Sequence, residues 1–205
     1  MMKKPRKTRK LALVANEAYD ETPSQTLEGG RTLYRSNKYN KAYVDADGNI
    51  DIGVRGSGDL VDYALDAKKL LFGDNLLQSE RYKNTESFIK DIRKDNPNKK
   101  ISVGAHSLGG TLVNRFVNEN AGVIDYAETY NPYVTTNMDL SADVKNYRKK
   151  GDVASVLGTY GFIAGNKKIE DFESENEPDG ILEKHSLKQF LKKGLGRSTA
   201  ERLMA

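Results

Sequence analysis

The stretch ISVGAHSLGGTLVNRF, residues 101–116, constrains the fold more than any other part of the chain. Residues 101–105 form a short apolar run of the kind that makes a buried strand. Leu112, Val113 and Phe116 then recur at helical spacing and predict a helix over 107–118. Only a turn of small residues separates the two. A strand that feeds straight into a helix returns by crossover to a parallel neighbour, so this is a chain of the α/β type.

The remaining sequence repeats that alternation. A short helix is expected over 11–20. KAYVDADGNIDIGVRG (41–56) reads as two strands joined by an Asp47-Gly48 hairpin turn. DLVDYALDAKKLLFG (59–73) reads as a helix ended by Gly73. A further helix, about 84–95, stops at Asn96-Pro97. Strands follow over 124–130, broken by Asn131-Pro132, and over 144–147. A last helix covers 185–193. The expected architecture is a mostly parallel sheet with helices on both faces, and in such sheets chemistry gathers at the carboxyl ends of the strands. GAHSLGG (104–110) lies at one of those ends.

Composition bounds the rest. The 205 residues include no cysteine, which excludes disulfides and thiolate metal sites. With 37% hydrophobic and 30% charged residues, the chain reads as globular. The expected organisation is one domain over 11–195, with a disordered basic tail at 1–10 and a second tail at 196–205. Residues 1–10 hold six Lys/Arg and no acid, and 184–205 hold six against Glu201 alone. The two ends carry +6 and +5 of a total of +4, which leaves −7 on residues 11–183. Such ends are solvated tails or a means of contact with something anionic: peripheral contact with an anionic membrane, or nucleic acid. EDFESENEPDGILE (170–183) reads as an exposed acidic loop, and its spacing is not that of an EF-hand. No apolar run reaches membrane-spanning length, and LALVA (11–15) is too short for a signal-peptide core. No secretion signal is read, so a place inside the cell or within an assembly is expected. The tyrosines are scattered and no phosphate-loop pattern occurs, so nucleic-acid binding by the body is not expected.

A serine presented at a strand-to-helix turn needs small neighbours, and here Ala105 and Gly109 flank Ser107 two residues away on either side. The first helical turn aims backbone N–H groups at any developing oxyanion, Leu108 among them. VRGSGD (54–59) follows a strand end and offers Ser57 as a second N–H donor. KKGDVAS (149–155) sets Asp152 past a later strand end, with Asp143 and Asp179 as alternative acids. His106 adjoins the serine and points away from it, so of two histidines His185 is the candidate base. The order Ser107, Asp152, His185 is that of an α/β-hydrolase triad.

With those pieces in view, the chain resembles the class 3 (fungal-type) lipases, an α/β-hydrolase family. VRGSGDLVDYALD, KKISVGAHSLGGTLVNRF, AETYNPYV, NYRKKGDVASVLG and KHSLKQF carry the resemblance, which spans about 31–192. Ala105, Ser57 and Val153 stand where the family commonly has Gly, Thr and Pro. The 33-residue interval from Asp152 to His185 is short, which implies a compact version of the fold. The resemblance implies a lipase or esterase cleaving carboxylic esters of lipids, acylglycerol or phospholipid. In it Ser107 is nucleophile, His185 base, Asp152 its orienting acid, and the N–H groups of Ser57 and Leu108 form the oxyanion hole. No metal and no cofactor is implied. Two readings of LLFGDNLLQSERY (70–82) stay open: a mobile lid over an acyl pocket, or a helix packed on the core. HSLKQFLKKGLGRS (185–198) reads as a core helix with a solvated lysine face, with docking on anionic lipid as the alternative. A protein of another class, a lipase-fold interaction protein docking through its basic ends, is the alternative.

Overall fold

The computed structural model describes residues 10–57, 76–133, 140–149, 169–172 and 186–191. The basic ends (1–9 and 192–205), the helix expected over 59–73, and Asp152, Asp179 and His185 lie outside these.

The described residues build an eight-stranded sheet whose spatial order follows the chain. Strands β1 (Thr26–Leu27), β2 (Arg31–Ser36), β3 (Asn40–Val44) and β4 (Ile50–Val54) form an antiparallel meander. The hairpin expected at Asp47-Gly48 is there, with Gly48 at φ 77°. From β4 onward every pairing is parallel, through β5 (Ile101–His106), β6 (Tyr126–Tyr130), β7 (Val144–Lys149) and β8 (Ile169–Phe172). The centre of this sheet is apolar on both sides because both faces are covered.

On one face lie α2 (Glu80–Asp95) and α3 (Leu108–Glu119). Ser79 caps α2 by accepting the Tyr82 N–H on its hydroxyl at 3.1 Å. That cap starts the helix a turn before the sequence periodicity does. Phe88, Ile89 and Ile92 from α2 and Leu112, Val113 and Phe116 from α3 pack on Ile52, Val54, Val103 and Ala105. Leu77, in the 3₁₀ turn Leu76–Gln78, also packs against this core. The described part of the 70–82 segment is therefore a packed lead-in to α2.

On the other face lies α1 (Lys10–Glu17), whose LALVA run is buried throughout. Gly53 and Gly104 are register partners on β4 and β5. A Cβ at Gly53 would lie 2.0 Å from the Val14 carbonyl oxygen, and one at Gly104 would lie 2.2 Å from that of Leu11. The helix backbone thus rests directly on the strand backbones, an approach only glycine permits. Leu187, Phe190 and Leu191, in and beside the 3₁₀ turn Leu187–Phe190, complete this second core with Tyr130 and Tyr147.

Two expectations are corrected. Residues 170–172 are not loop: they belong to β8, which pairs with β7 from Asn146↔Ile169 to Lys149↔Phe172. Its acids do not alternate with apolar residues, and an edge strand requires no such alternation. The meander also extends past the expected hairpin into β1 and β2. Strand β2 inverts the usual pattern, burying Arg31 and exposing Tyr34. Arg31 tolerates burial because it donates to the Asp51 carboxylate at 3.4 Å and to the Lys10 and Glu28 carbonyls.

Candidate active site

The carboxyl end of β5 turns into α3 at a single residue. Ser107 has φ 53° and ψ −127°, a conformation that non-glycine residues avoid. Holding it there costs on the order of 1–3 kcal/mol, so the surroundings must impose it. They do so through the Ser107 backbone. Its N–H donates to Tyr130 at 3.1 Å, and its carbonyl accepts from Gly110 at 2.9 Å and Tyr133 at 3.2 Å. The residue sits at the carboxyl end of β5 and is only 3% exposed. Leu108 opens α3, so its N–H has no partner four residues back within the helix.

Small neighbours serve the purpose expected of them. A Cβ on Gly109 would lie 2.6 Å from the carbonyl oxygens of both Val54 and Arg55. Any larger residue would push α3 off the end of β4. Ala105 is fully buried between Val54 and Thr129, its register partners, and its methyl belongs to the core.

The loop after β4 is held against the serine. A Cβ on Gly56 would meet the Ser107 Cβ at 2.7 Å and the His106 carbonyl oxygen at 3.0 Å, so the loop packs directly on the turn. Ser57, half-buried, follows directly. The Arg81 guanidinium, from α2, donates to the Arg55 carbonyl at 2.6 Å and the Gly56 carbonyl at 2.5 Å. Arg55 itself packs over the rings of Tyr19 and Tyr39, at 6.0 and 5.7 Å, and braces the loop from the α1 face. On the same face His106 points away from Ser107's turn. Its Nδ1 lies 2.6 Å from the Tyr19 hydroxyl, which also accepts the Gly56 N–H at 2.7 Å.

Burial pushes the Tyr19 phenol up from 10.0 to about 12, against the lowering pull of the Gly56 N–H and the two arginines. A group whose folded pKa is raised stabilises the fold fully below its unfolded value and loses that contribution as pH rises through the folded one. Urea unfolding at pH 9 and pH 12 is therefore expected to show a loss about 2–3 kcal/mol larger in the parent than in Tyr19→Phe.

Behind the turn, a buried amide network fixes α3 to the parallel strands. The Asn114 side chain donates to the Gly110 carbonyl and to Asn146 Oδ1, at 2.9 and 2.7 Å. Thr129 Oγ1 donates to the same Asn146 oxygen at 2.6 Å. Thr111 Oγ1 donates to the Tyr133 carbonyl. Sequence reasoning missed Tyr19, Arg81, Asn114 and Asn146. Polar residues within apolar periodic segments, Asn114 in α3 and Asn146 in β7, were the available signal.

Of the sequence candidates, Ala105, His106, Ser107, Leu108 and Gly109 share one turn, and Ser57 lies in the loop against it. Asp143 is ruled out as the partner acid. It precedes β7 at the amino end of a strand parallel to β5, roughly 16 Å of strand away from the serine's edge.

No family model matches the sequence, and no curated protein does. Among solved structures, the chain is similar to Lip2 lipase from Yarrowia lipolytica, with a TM-score of 0.51 and 16% identity over 74% of each chain. A mutant form of MDLA from Penicillium cyclopium aligns over 82% of this chain and 79% of its own, at 13% identity and a TM-score of 0.48. The sheet order, the helices on both faces and the likeness to Lip2 lipase define a compact α/β-hydrolase fold. No described helix is long and apolar enough to cross a membrane.

Proposed function

We propose that the chain is a serine hydrolase of the class 3 lipase type, cleaving carboxylic esters of lipids. The observation that carries this reading is the backbone of Ser107, held at φ 53° at the carboxyl end of a central parallel strand. Strain of this kind persists where the neighbouring structure is arranged to maintain it, and a nucleophile elbow is such an arrangement.

In the proposed reaction the Ser107 hydroxyl oxygen attacks the ester carbonyl carbon while His185 accepts its proton. The carbonyl oxygen becomes an oxyanion that takes the N–H groups of Leu108 and Ser57, donors worth about 2.7–4 kcal/mol each to the transition state. Collapse breaks the bond to the alcohol, which leaves with the proton from His185. Water then repeats the sequence on the acyl-enzyme. Asp152 holds the imidazole in the required tautomer and stabilises its charge. No metal or organic cofactor takes part.

The flanks of the two partners support their assignment. Lys149 ends β7 at the serine's edge of the sheet, three residues before Asp152. Leu187 and Phe190, just after His185, are buried in the same core as Tyr130, the residue whose carbonyl holds the Ser107 N–H. The likeness to a protein described as a lipase supports lipid esters over other acyl compounds.

A panel of p-nitrophenyl esters and mixed acylglycerols tests the reading. Hydrolysis by the parent is expected. His185→Ala is expected to lower kcat by roughly 10⁶-fold and Asp152→Ala by roughly 10⁴-fold. A folded parent that cleaves none of the esters would contradict it.

A further inference from the structure

Three groups meet at one oxygen. The Tyr19 hydroxyl touches the loop that precedes Ser57 and the residue that precedes Ser107, so it spans the two halves of the proposed oxyanion hole. We infer that Tyr19 is a positioning residue: its hydroxyl clamps the Gly56 N–H to His106 and so sets where the Ser57 N–H stands relative to the nucleophile. The inference rests on the hydrolase reading above.

The hydrogen bonds fix the arrangement. Gly56 has an N–H to give, and the oxygen of Tyr19 receives it at 2.7 Å. With His106 in the tautomer protonated at Nε2, the phenol proton donates to its Nδ1 at 2.6 Å. One hydroxyl accepts from the loop and donates to the elbow, a use for which phenylalanine has no substitute. The rings of Tyr19 and His106 meet edge to face with centroids 5.7 Å apart, so the tyrosine has little room to slide.

Arg81 holds the loop through its carbonyls, and Tyr19 holds it through the Gly56 N–H. A Cβ on Gly56 would lie 2.5 Å from the Tyr19 oxygen as well as 2.7 Å from the Ser107 Cβ. Gly56 is thus wedged between the tyrosine and the serine. Tyr19 stands two residues past the end of α1 and turns with it, its N–H bonded to the Asn16 carbonyl. Helix α1 is seated on β4 and β5 through Gly53 and Gly104. The clamp therefore passes the position of a rigid helix to a loop whose N–H must meet a charge that exists only in the transition state.

The full chain is compared with Tyr19→Phe, His106→Leu and His106→Asn, the last keeping an acceptor, Oδ1, where Nδ1 stood for the tyrosine. Four readouts are taken: the rate of labelling by a fluorophosphonate probe, kcat and KM for p-nitrophenyl butyrate, the ester-to-thionoester rate ratio, and amide hydrogen exchange at Gly56. Tyr19→Phe and His106→Leu are expected to label and turn over about 10- to 100-fold more slowly with KM unchanged. Their ester-to-thionoester ratio is expected to fall, because a displaced N–H loses its preference for oxygen over sulfur. Exchange at Gly56 is expected to quicken about tenfold with global stability kept, and His106→Asn is expected to stay near the parent. Parent-like labelling, turnover and Gly56 exchange in Tyr19→Phe would overturn the inference and leave the hydrolase reading standing. A parent that neither labels nor hydrolyses would overturn the hydrolase reading and the catalytic role with it.

Discussion

Ser107→Ala is expected to lower kcat for ester hydrolysis by roughly 10⁶-fold and leave thermal unfolding within a few degrees of the parent. The two halves of that expectation come from different parts of the residue. The proposed reaction needs the hydroxyl oxygen. The fold sees mainly the backbone, whose N–H and carbonyl are bonded to Tyr130, Gly110 and Tyr133 whatever the side chain is. Alanine at φ 53° carries the same strain as serine. Ser107→Gly separates the two further. It is equally inactive but relieves the strain, and should gain about 1 kcal/mol after the extra chain entropy of glycine is subtracted. Steady-state kinetics beside denaturant unfolding of the three proteins checks this. A Ser107→Ala variant with parental turnover would remove the serine from the chemistry.

The largest effect on stability is expected at the glycine pair under α1. Gly104→Ala brings a methyl to 2.2 Å from the Leu11 carbonyl oxygen, and Gly53→Ala brings one to 2.0 Å from that of Val14. Both obstacles are backbone atoms of a helix buried on nearly every side, so neither can rotate away. The helix has to lift, taking Leu11, Ala12, Leu13 and Ala15 out of the second core. Overpacking of this kind costs about 3 kcal/mol or more, which lowers the midpoint of thermal unfolding by roughly 6–12 °C in a chain of this size. Because Tyr19 follows α1, turnover should drop as well. Calorimetry on the two variants decides it, and a midpoint within 2 °C of the parent would show that α1 adjusts at little cost.

The sequence carried the parallel half of the sheet and the elbow. Ile101, Val103 and Ala105 alternate with Ser102 and Gly104 in a strand covered on both faces, and GAHSLGG could only be a tight turn between it and the next helix. Local chemistry determined those elements, so local reading found them. Other elements were set by tertiary partners. Strand β2 buries Arg31 and exposes Tyr34 because Asp51 and the Lys10 carbonyl lie where an apolar neighbour would otherwise be. Strand β8 pairs at the edge through backbone groups that its acidic side chains do not reveal. The same holds within the site. Ser107, Leu108 and Gly109 were legible because they are consecutive. Tyr19 was not, since 87 residues separate it from His106, and a tyrosine after a short helix has no local mark of what it will touch. Asp143 was an alternative to Asp152 on sequence grounds. The register of β7 sets Asp143 at the amino end of that strand, away from Ser107.

The most direct test of the account is where a fluorophosphonate probe attaches. The purified chain would be treated with the probe, digested, and the adduct located by tandem mass spectrometry, with Ser107→Ala and His185→Ala in parallel. One adduct on Ser107, absent from Ser107→Ala and strongly slowed in His185→Ala, is the predicted result. A folded protein that takes no adduct on Ser107, or takes it equally well without His185, would contradict the account.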